Sequence, residues 1–256
     1  TELVTKLRAG GLRDIRGNLV IDDAIYGVGA ERQPSFDGDD NQPYNVQPYA
    51  ALMNFKATRF IINPRNRQVT MDPPLADVRV VNDVRVLNGR CRRAATGFTV
   101  DDASTETRAI LRVRGSMVGA CGPQNFYAAA LSHRQYVHGF FKAAWLGAGG
   151  TLTGTTKIVQ GAARGEPYYE WQSPRTLADI VRDINKFSNN VMARMLVLQI
   201  GAESRTQPAS VRDGRTVLRD WYASRNLKLS SLVIENGSGL SRSERISASD
   251  LTDILV

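Results

Sequence analysis

"ENGSGLSR", residues 235–242, is the stretch on which the reading of this chain turns. It continues from "SSLVIE" (230–235), whose apolar and β-branched residues predict a strand, and it sets two glycines beside two serines. Taken alone it is a tight strand-to-loop turn, because Gly and Ser readily leave regular structure. Upstream stands "INKFSNNVMARM" (184–195), where Val191, Met192, Met195 and Leu196 recur at the spacing of one helix face. Lys186, Ser188, Asn189 and Asn190 precede that face. Small polar side chains at a helix start satisfy orphan backbone N–H groups. The same groups can relay a proton or orient a substrate. The Ser-x-Asn spacing alone does not choose: about one chance match is expected in a chain of this size. Ser224-Arg225-Asn226 is indeed a second match, at the far end of another helical pattern.

The bulk numbers bound the answer. A chain of 256 residues is long enough for two domains, and 42% hydrophobic with 23% charged residues is ordinary for a globular protein. No apolar run approaches the roughly 18 residues that span a bilayer. No basic-then-apolar start resembles a signal peptide. The expectation is no transmembrane segment, with peripheral membrane association left open by the basic surface. The net charge of +8 suits an acidic partner, yet the 33 Lys and Arg residues are scattered. The densest group, "RCRR" (90–93), lacks interleaved aromatics, so no nucleic-acid partner is expected. Cys91 and Cys121 form no metal-ligand or CxxC pattern. They are either one disulfide of an oxidising compartment or two separate buried thiols. His133 and His138 stand five apart and share no helical face, and "DGDD" (37–40) lacks calcium-loop spacing. No metal and no cofactor is expected.

The texture of the chain divides near residue 160. Residues 1–11 read as a helix on which Leu3, Val4 and Leu7 share a face and Gly10-Gly11 forms the stop. "IRGNLVID" (15–22) reads as a strand, and residues 27–48 as a long loop. "RFIIN", "RQVTMD", "VRVVNDVRVLNG", "TGFTVD" and "RAILRVRGSMVGA" are strands between turn residues, with Val78, Val80, Val84 and Val86 as strand core. A helix is predicted over 134–147, then a strand in "TLTGTTKIVQG" and a connection in "GAARGEP" (161–167). Helices follow, one opened by Ser173-Pro174 and another over 210–226. The last is opened by a capping box of Ser247 and Asp250. That last pattern stops after barely two turns, so a fragment of a longer protein, trimmed at both ends, is expected.

Taken in order, two strings resemble the class C penicillin-binding proteins, the D-alanyl-D-alanine carboxypeptidase/endopeptidase family of the DacB type. That family has a K-x-S-x-N segment opening a helix, here Lys186-Phe187-Ser188-Asn189-Asn190, followed by [DN]-G-S-G-L-S-R, here Asn236 to Arg242. "LRAGGLRDIRGNLVID" and "QPYNVQPYAALMNF" resemble its accessory region, so the likeness runs along nearly the whole chain. The implied fold is α+β and multidomain. A β-rich accessory region occupies 1–160, with an inner inserted part at about 27–113, and part of the penicillin-binding α/β core occupies 161–256.

The resemblance implies a serine-type peptidase of peptidoglycan stem peptides, periplasmic or otherwise extracytoplasmic, acylated by β-lactam antibiotics. Ser188, Asn190 and Lys186 would be the catalytic group: Ser188 relaying a proton, Asn190 orienting substrate and relay, Lys186 supporting the local field. Ser241, Arg242 and Gly239 would bind substrate, Arg242 through a stem-peptide carboxylate. Penicillin-recognising enzymes also carry S-x-x-K and K-T-G. Neither occurs in these 256 residues, and the reversed "GTTK" (154–157) is no substitute. The implied enzyme would therefore be inactive as this piece alone. The alternative is a non-catalytic wall-binding or interaction module on the same scaffold.

Overall fold

The computed structural model describes residues 2–27, 36–92, 97–105, 108–161, 165–204 and 207–255. Parts of the loop at 27–48, of "RCRR" and of "GAARGEP" lie outside the described residues.

Helix α1 (Glu2–Ala9) buries Val4 against a cluster of Phe141, Trp145 and Leu152. It stops where predicted, with Gly11 at φ 92° and its N–H donating to the Arg8 carbonyl. Arg8 reaches across to the end of α2 (His133–Gly147), donating to the carbonyls of Ala148 and Gly149, both at 3.1 Å, with its guanidinium 5.5 Å from the Trp145 ring centroid. A cation on the last carbonyls of a helix meets the negative end of its dipole.

"IRGNLVID" splits into β1 (Asp14–Ile15) and β2 (Leu19–Asp22). Beyond α2, "TLTGTTKIVQG" splits likewise, into β9 (Thr151–Leu152) and β10 (Thr156–Val159). The pairs β1–β9 and β2–β10 are both parallel, with Leu19 opposite Thr156 and Asp22 opposite Val159. The break is steric: a Cβ at Gly154 would stand 2.0 Å from the Gly17 carbonyl oxygen, so the two turns touch through glycine backbones.

Between β2 and α2 lie two three-stranded sheets. One orders β4 (Gln68–Asp72), β3 (Thr58–Asn63) and β8 (Gln124–Ala128), all antiparallel. The other orders β5 (Val78–Leu87), β7 (Ala109–Val118) and β6 (Thr99–Asp102). Here β5 and β7 run parallel through ten pairs, from Val78–Ala109 to Leu87–Val118. Alternation sets the faces: Thr58, Phe60 and Ile62 point inward from β3. They join Leu111, Val113, Met117 and Tyr136 of α2 in the main core, against which Val78, Val80, Val84 and Val86 pack. Cys91 and Cys121 are bonded to each other, closing the loop between β5 and the end of β7. In the chain-entropy account a loop of this length is worth roughly 3–4 kcal/mol.

The second half is helical: α3 (Leu177–Phe187), α4 (Asn190–Ser204), α5 (Val211–Ser224) and α6 (Ala248–Leu255). Three boundaries differ from expectation. Helix α3 opens at Thr176, whose hydroxyl accepts from Asp179 N at 3.2 Å, while Ser173 makes only a turn with Arg175 N. "SSLVIE" forms a single bridge, Val233 to Arg245, instead of a strand, because no longer partner runs beside it among the described residues. At α6, Ser247 caps Asp250 N at 3.0 Å, but the Asp250 carboxylate accepts from Ser231 N and its hydroxyl, so the reciprocal half of the box is absent.

His133 is buried at the start of α2, its ring stacked on Tyr49 with centroids 3.9 Å apart. Neither ring nitrogen has a hydrogen-bond partner among the described residues. Burial, with Lys56 nearby, pushes its pKa down to about 4. The folded state therefore holds a neutral ring, while the unfolded chain takes up a proton below about pH 6.5. Falling pH should destabilise the fold through this group between about 6.5 and 4, with no effect above that window. Comparing melting temperatures of the wild type and His133→Phe across pH 4–8 tests it. Phe keeps the stack, so the wild-type deficit relative to the variant should widen only as the solution becomes acidic.

Candidate functional site

Ser188 is the residue at which α3 ends, in the left-handed conformation at φ 50°, ψ 48°. Its N–H donates to Asn185 O at 3.4 Å and Asn189 N to Ile184 O at 3.0 Å, closing the helix. The cap of α4 is the next residue: Asn189 Oδ1 accepts from Met192 N at 3.0 Å. Capping therefore falls to Asn189, which leaves the Ser188 hydroxyl exposed and outside the fold's hydrogen bonds among the described residues. Lys186, in the last turn of α3, is exposed and lays its ammonium 5.4 Å from the Phe187 ring centroid.

Asn190, the first residue of α4, donates from Nδ2 to the Ser238 carbonyl at 3.0 Å. This joins the two strings that the sequence sets 48 residues apart. The other Ser-x-Asn match makes no such link: Ser224 is spent on its own helix, donating to Trp221 O at 2.7 Å.

The loop that receives Asn190 is wound around one carboxylate. Glu244 Oε1 accepts from the backbone N–H groups of Glu235, Asn236 and Gly237 at 3.0, 2.8 and 2.8 Å, and Oε2 accepts from Gly239 N at 3.2 Å. Buried Asn236 adds a second anchor, its Oδ1 accepting from Ser238 N at 2.9 Å and the Ser238 hydroxyl at 2.6 Å. The Ser241 hydroxyl donates to Glu235 and accepts from Ser243 N and Glu244 N. The hydroxyls of Ser241 and Ser243, then nearby Arg215, hold the Glu235 pKa below the ordinary carboxylate value. Ser241 thus shapes the loop from within. Gly239 sits at φ 73° with open space where a Cβ would be. Arg242 projects from the loop and stacks its guanidinium 4.6 Å from the Phe36 ring centroid, so the segment 36–45 reaches the same region.

That segment is ordered by its own polar groups. The Tyr44 hydroxyl donates to Asp37 at 2.5 Å, and Asn45 Nδ2 donates to Asp37 Oδ1 at 2.7 Å and to Asp39 O at 2.8 Å. The Asp37 carboxylate pushes the Tyr44 pKa up to about 12. "DGDD" is therefore an exposed loop whose turns are held by its own side chains. Further back, Arg194 of α4 is buried, donating to Val46 O at 3.2 Å and Gln47 Oε1 at 2.8 Å. Burial lowers its pKa, since its partners are neutral. Neither Glu244 nor Arg194 stood out in the sequence, since neither belongs to a motif.

Among the described residues no cluster of His, Cys, Asp and Glu suits a metal ion, and no helix is long and apolar enough to cross a membrane.

Against known proteins, residues 1–256 match the model of the D-Ala-D-Ala carboxypeptidase 3 (S13) family. The chain belongs to that family. A D-alanyl-D-alanine carboxypeptidase of Actinomadura sp. (strain R39) is 26% identical, the match covering 99% of this chain and 48% of that protein. Penicillin binding protein 4 (dacB) from Haemophilus influenzae has a similar solved structure, with a TM-score of 0.75 at 18% identity over 99% of this chain and 56% of that one. Its complex with a novel β-lactam matches with a TM-score of 0.69 at 17% identity, over 99% and 54%. The chain therefore spans about half the length of these relatives, and its mixed α/β architecture is that of a penicillin-binding protein.

Gly237 and Gly239 separate two reasons for glycine in the motif. Both have positive φ, but a Cβ at Gly237 would also stand 2.4 Å from Val197 Cγ2, whereas one at Gly239 meets nothing within 4 Å. Gly237→Ala should cost about 2–4 kcal/mol, and Gly239→Ala only about 1 kcal/mol. Urea denaturation of the two variants checks the order.

Proposed function

We propose that the parent protein is a serine-type D-alanyl-D-alanine carboxypeptidase/endopeptidase of peptidoglycan stem peptides, acylated by β-lactams and working outside the cytoplasm. Membership of the family supports the reaction class, and the Asn190–Ser238 hydrogen bond carries the assignment of the site. The disulfide fits an oxidising compartment.

The roles follow from donor and acceptor capacity. Asn190 spends one N–H on the loop and keeps its carbonyl oxygen for a substrate amide. Ser188, held at the rim of α3 with its hydroxyl uncommitted, is placed to pass a proton to the departing D-alanine amine. Lys186, two residues before Ser188, adds positive potential. Gly239 and Ser241 belong to the loop that would face the substrate, and Arg242 offers a bidentate donor to a substrate carboxylate. The nucleophile and its base, which penicillin-recognising enzymes carry in S-x-x-K, are not encoded in residues 1–256. We assign 1–160 to a β-rich accessory region and 161–256 to part of the catalytic core. The parallel pairs β1–β9 and β2–β10 support an inner insertion between β2 and α2, wider than 27–113.

Fluorescent penicillin should label the full-length protein and give no covalent adduct with residues 1–256 alone. In the full-length protein, Ser188→Ala should slow acylation and D-alanine release roughly a hundredfold or more. Its melting temperature should not change, because that hydroxyl supports no hydrogen bond among the described residues. Ser224→Ala serves as the control and should label at the wild-type rate. Wild-type labelling by the Ser188 variant would remove the relay role.

A further inference from the structure

A cleft of about 690 Å³ opens where β5, β7 and the first turns of α2 meet the Thr153–Thr156 turn. It belongs to the accessory half and shares no residue with the site above. Arg79, Arg108 and Arg134 all line it, and none of the three guanidinium groups has a carboxylate partner among the described residues. The acidic side chain lining the cleft, Asp77, is already engaged: Lys142 donates to it at 2.6 Å and a His138 ring nitrogen lies 3.0 Å away.

The three side chains are exposed, so water screens their mutual repulsion, yet they line one cleft without a carboxylate partner among the described residues. Val78 registers with Ala109 and Arg79 with Ile110, so Arg79 and Arg108 project from neighbouring strands into one space. Arg134 stands in the first turn of α2, where the helix dipole opposes a cation and favours an anion. Three exposed guanidinium groups and a helix start lining one cavity favour a bound oxyanion, most of all a doubly charged one. The rest of the lining is neutral. Val78 and Ile110 offer apolar surface, and the Thr153 hydroxyl has no partner among the described residues. A sugar ring presents the matching C–H and hydroxyl groups, and the volume is that of an ordinary small-molecule site.

We infer that this cleft binds a phosphorylated saccharide, its phosphate held by Arg79, Arg108 and Arg134. The inference stands apart from the peptidase reading, since it uses neither Ser188 nor the 236–242 loop. Titrating the full-length protein with glucose 6-phosphate, glucuronate, inorganic phosphate and glucose, by calorimetry at about 50 mM salt, tests it. Saturable binding of glucose 6-phosphate is expected, weakening steeply at 0.5 M NaCl. Glucuronate and inorganic phosphate should each bind about tenfold more weakly, and glucose not at all. Arg79→Gln or Arg134→Gln should each weaken the sugar phosphate about tenfold, and the double variant more, at an unchanged melting temperature. A variant that melts early is replaced by the Lys substitution, which should retain part of the affinity. Four results would overturn the inference: no saturation by glucose 6-phosphate, equal binding of glucose, equal binding of glucuronate or phosphate, or wild-type affinity in the double variant.

Discussion

The Glu244 carboxylate is the fixed point of the candidate site. Four backbone N–H groups, from Glu235, Asn236, Gly237 and Gly239, converge on its two oxygens. A loop with two glycines at positive φ would otherwise sample many conformations. A charged acceptor for four donors selects one of them, because each charge-assisted bond exceeds a neutral one and each lost donor would have to find water. The selected conformation turns the Ser238 carbonyl toward Asn190. The motif loop is thus held in shape by a residue outside the motif.

Helix α4 is the other half of the arrangement, and residues 46–47 hold it in place. Arg194 enters the gap between them and satisfies its guanidinium on Val46 and Gln47. A buried charge with neutral partners is costly to desolvate, and leaving it unpaired would cost more. This makes the contact a strong discriminator of position: a shift of α4 relative to residues 46–47 strands the charge. Tyr26 repeats the connection in apolar form, packing with Leu198, Ala202 and Ala209 while its hydroxyl donates to Gln199 at 2.6 Å. The segment that bears Asn190 is therefore positioned by Tyr26 and residues 46–47 as well as by its own neighbours in sequence.

What the sequence disclosed were features with local causes. Alternating β-branched residues marked β3 to β7, Gly10-Gly11 marked the stop of α1, and the order of two short strings marked the family. What it concealed depends on contacts between distant residues. The parallel alignment of β5 with β7 has no local signature, since both strands read alike whichever way they pair. "SSLVIE" has the composition of a strand but among the described residues finds only Arg245 as a partner. Glu244 sits in "SRSER" and takes its meaning from four backbone N–H groups that fold onto it, while Arg194 takes its meaning from burial; one sequence shows neither. Ser188 and Asn189 divide a task that their composition left undivided, one ending α3 and the other capping α4.

Val197 shows how closely these levels are coupled. A Cβ at Gly214 of α5 would stand 2.1 Å from the Val197 carbonyl oxygen, and one at Gly237 would stand 2.4 Å from its Cγ2. One residue of α4 is thus approached on one side by a helix and on the other by the motif loop, each through a glycine. Gly201 extends the first approach, since its own Cβ would stand 2.8 Å from Gly214 N. Two backbones at this distance leave little freedom to slide, because interiors pack at crystal-like density. The height of α4 against α5 then fixes where Asn190 emerges, and Gly237 fixes how near the loop can come. The first glycine of the G-S-G string is accordingly a packing requirement as well as a turn requirement. The hydrogen bond from Asn190 to Ser238 is the geometry left once both approaches are made.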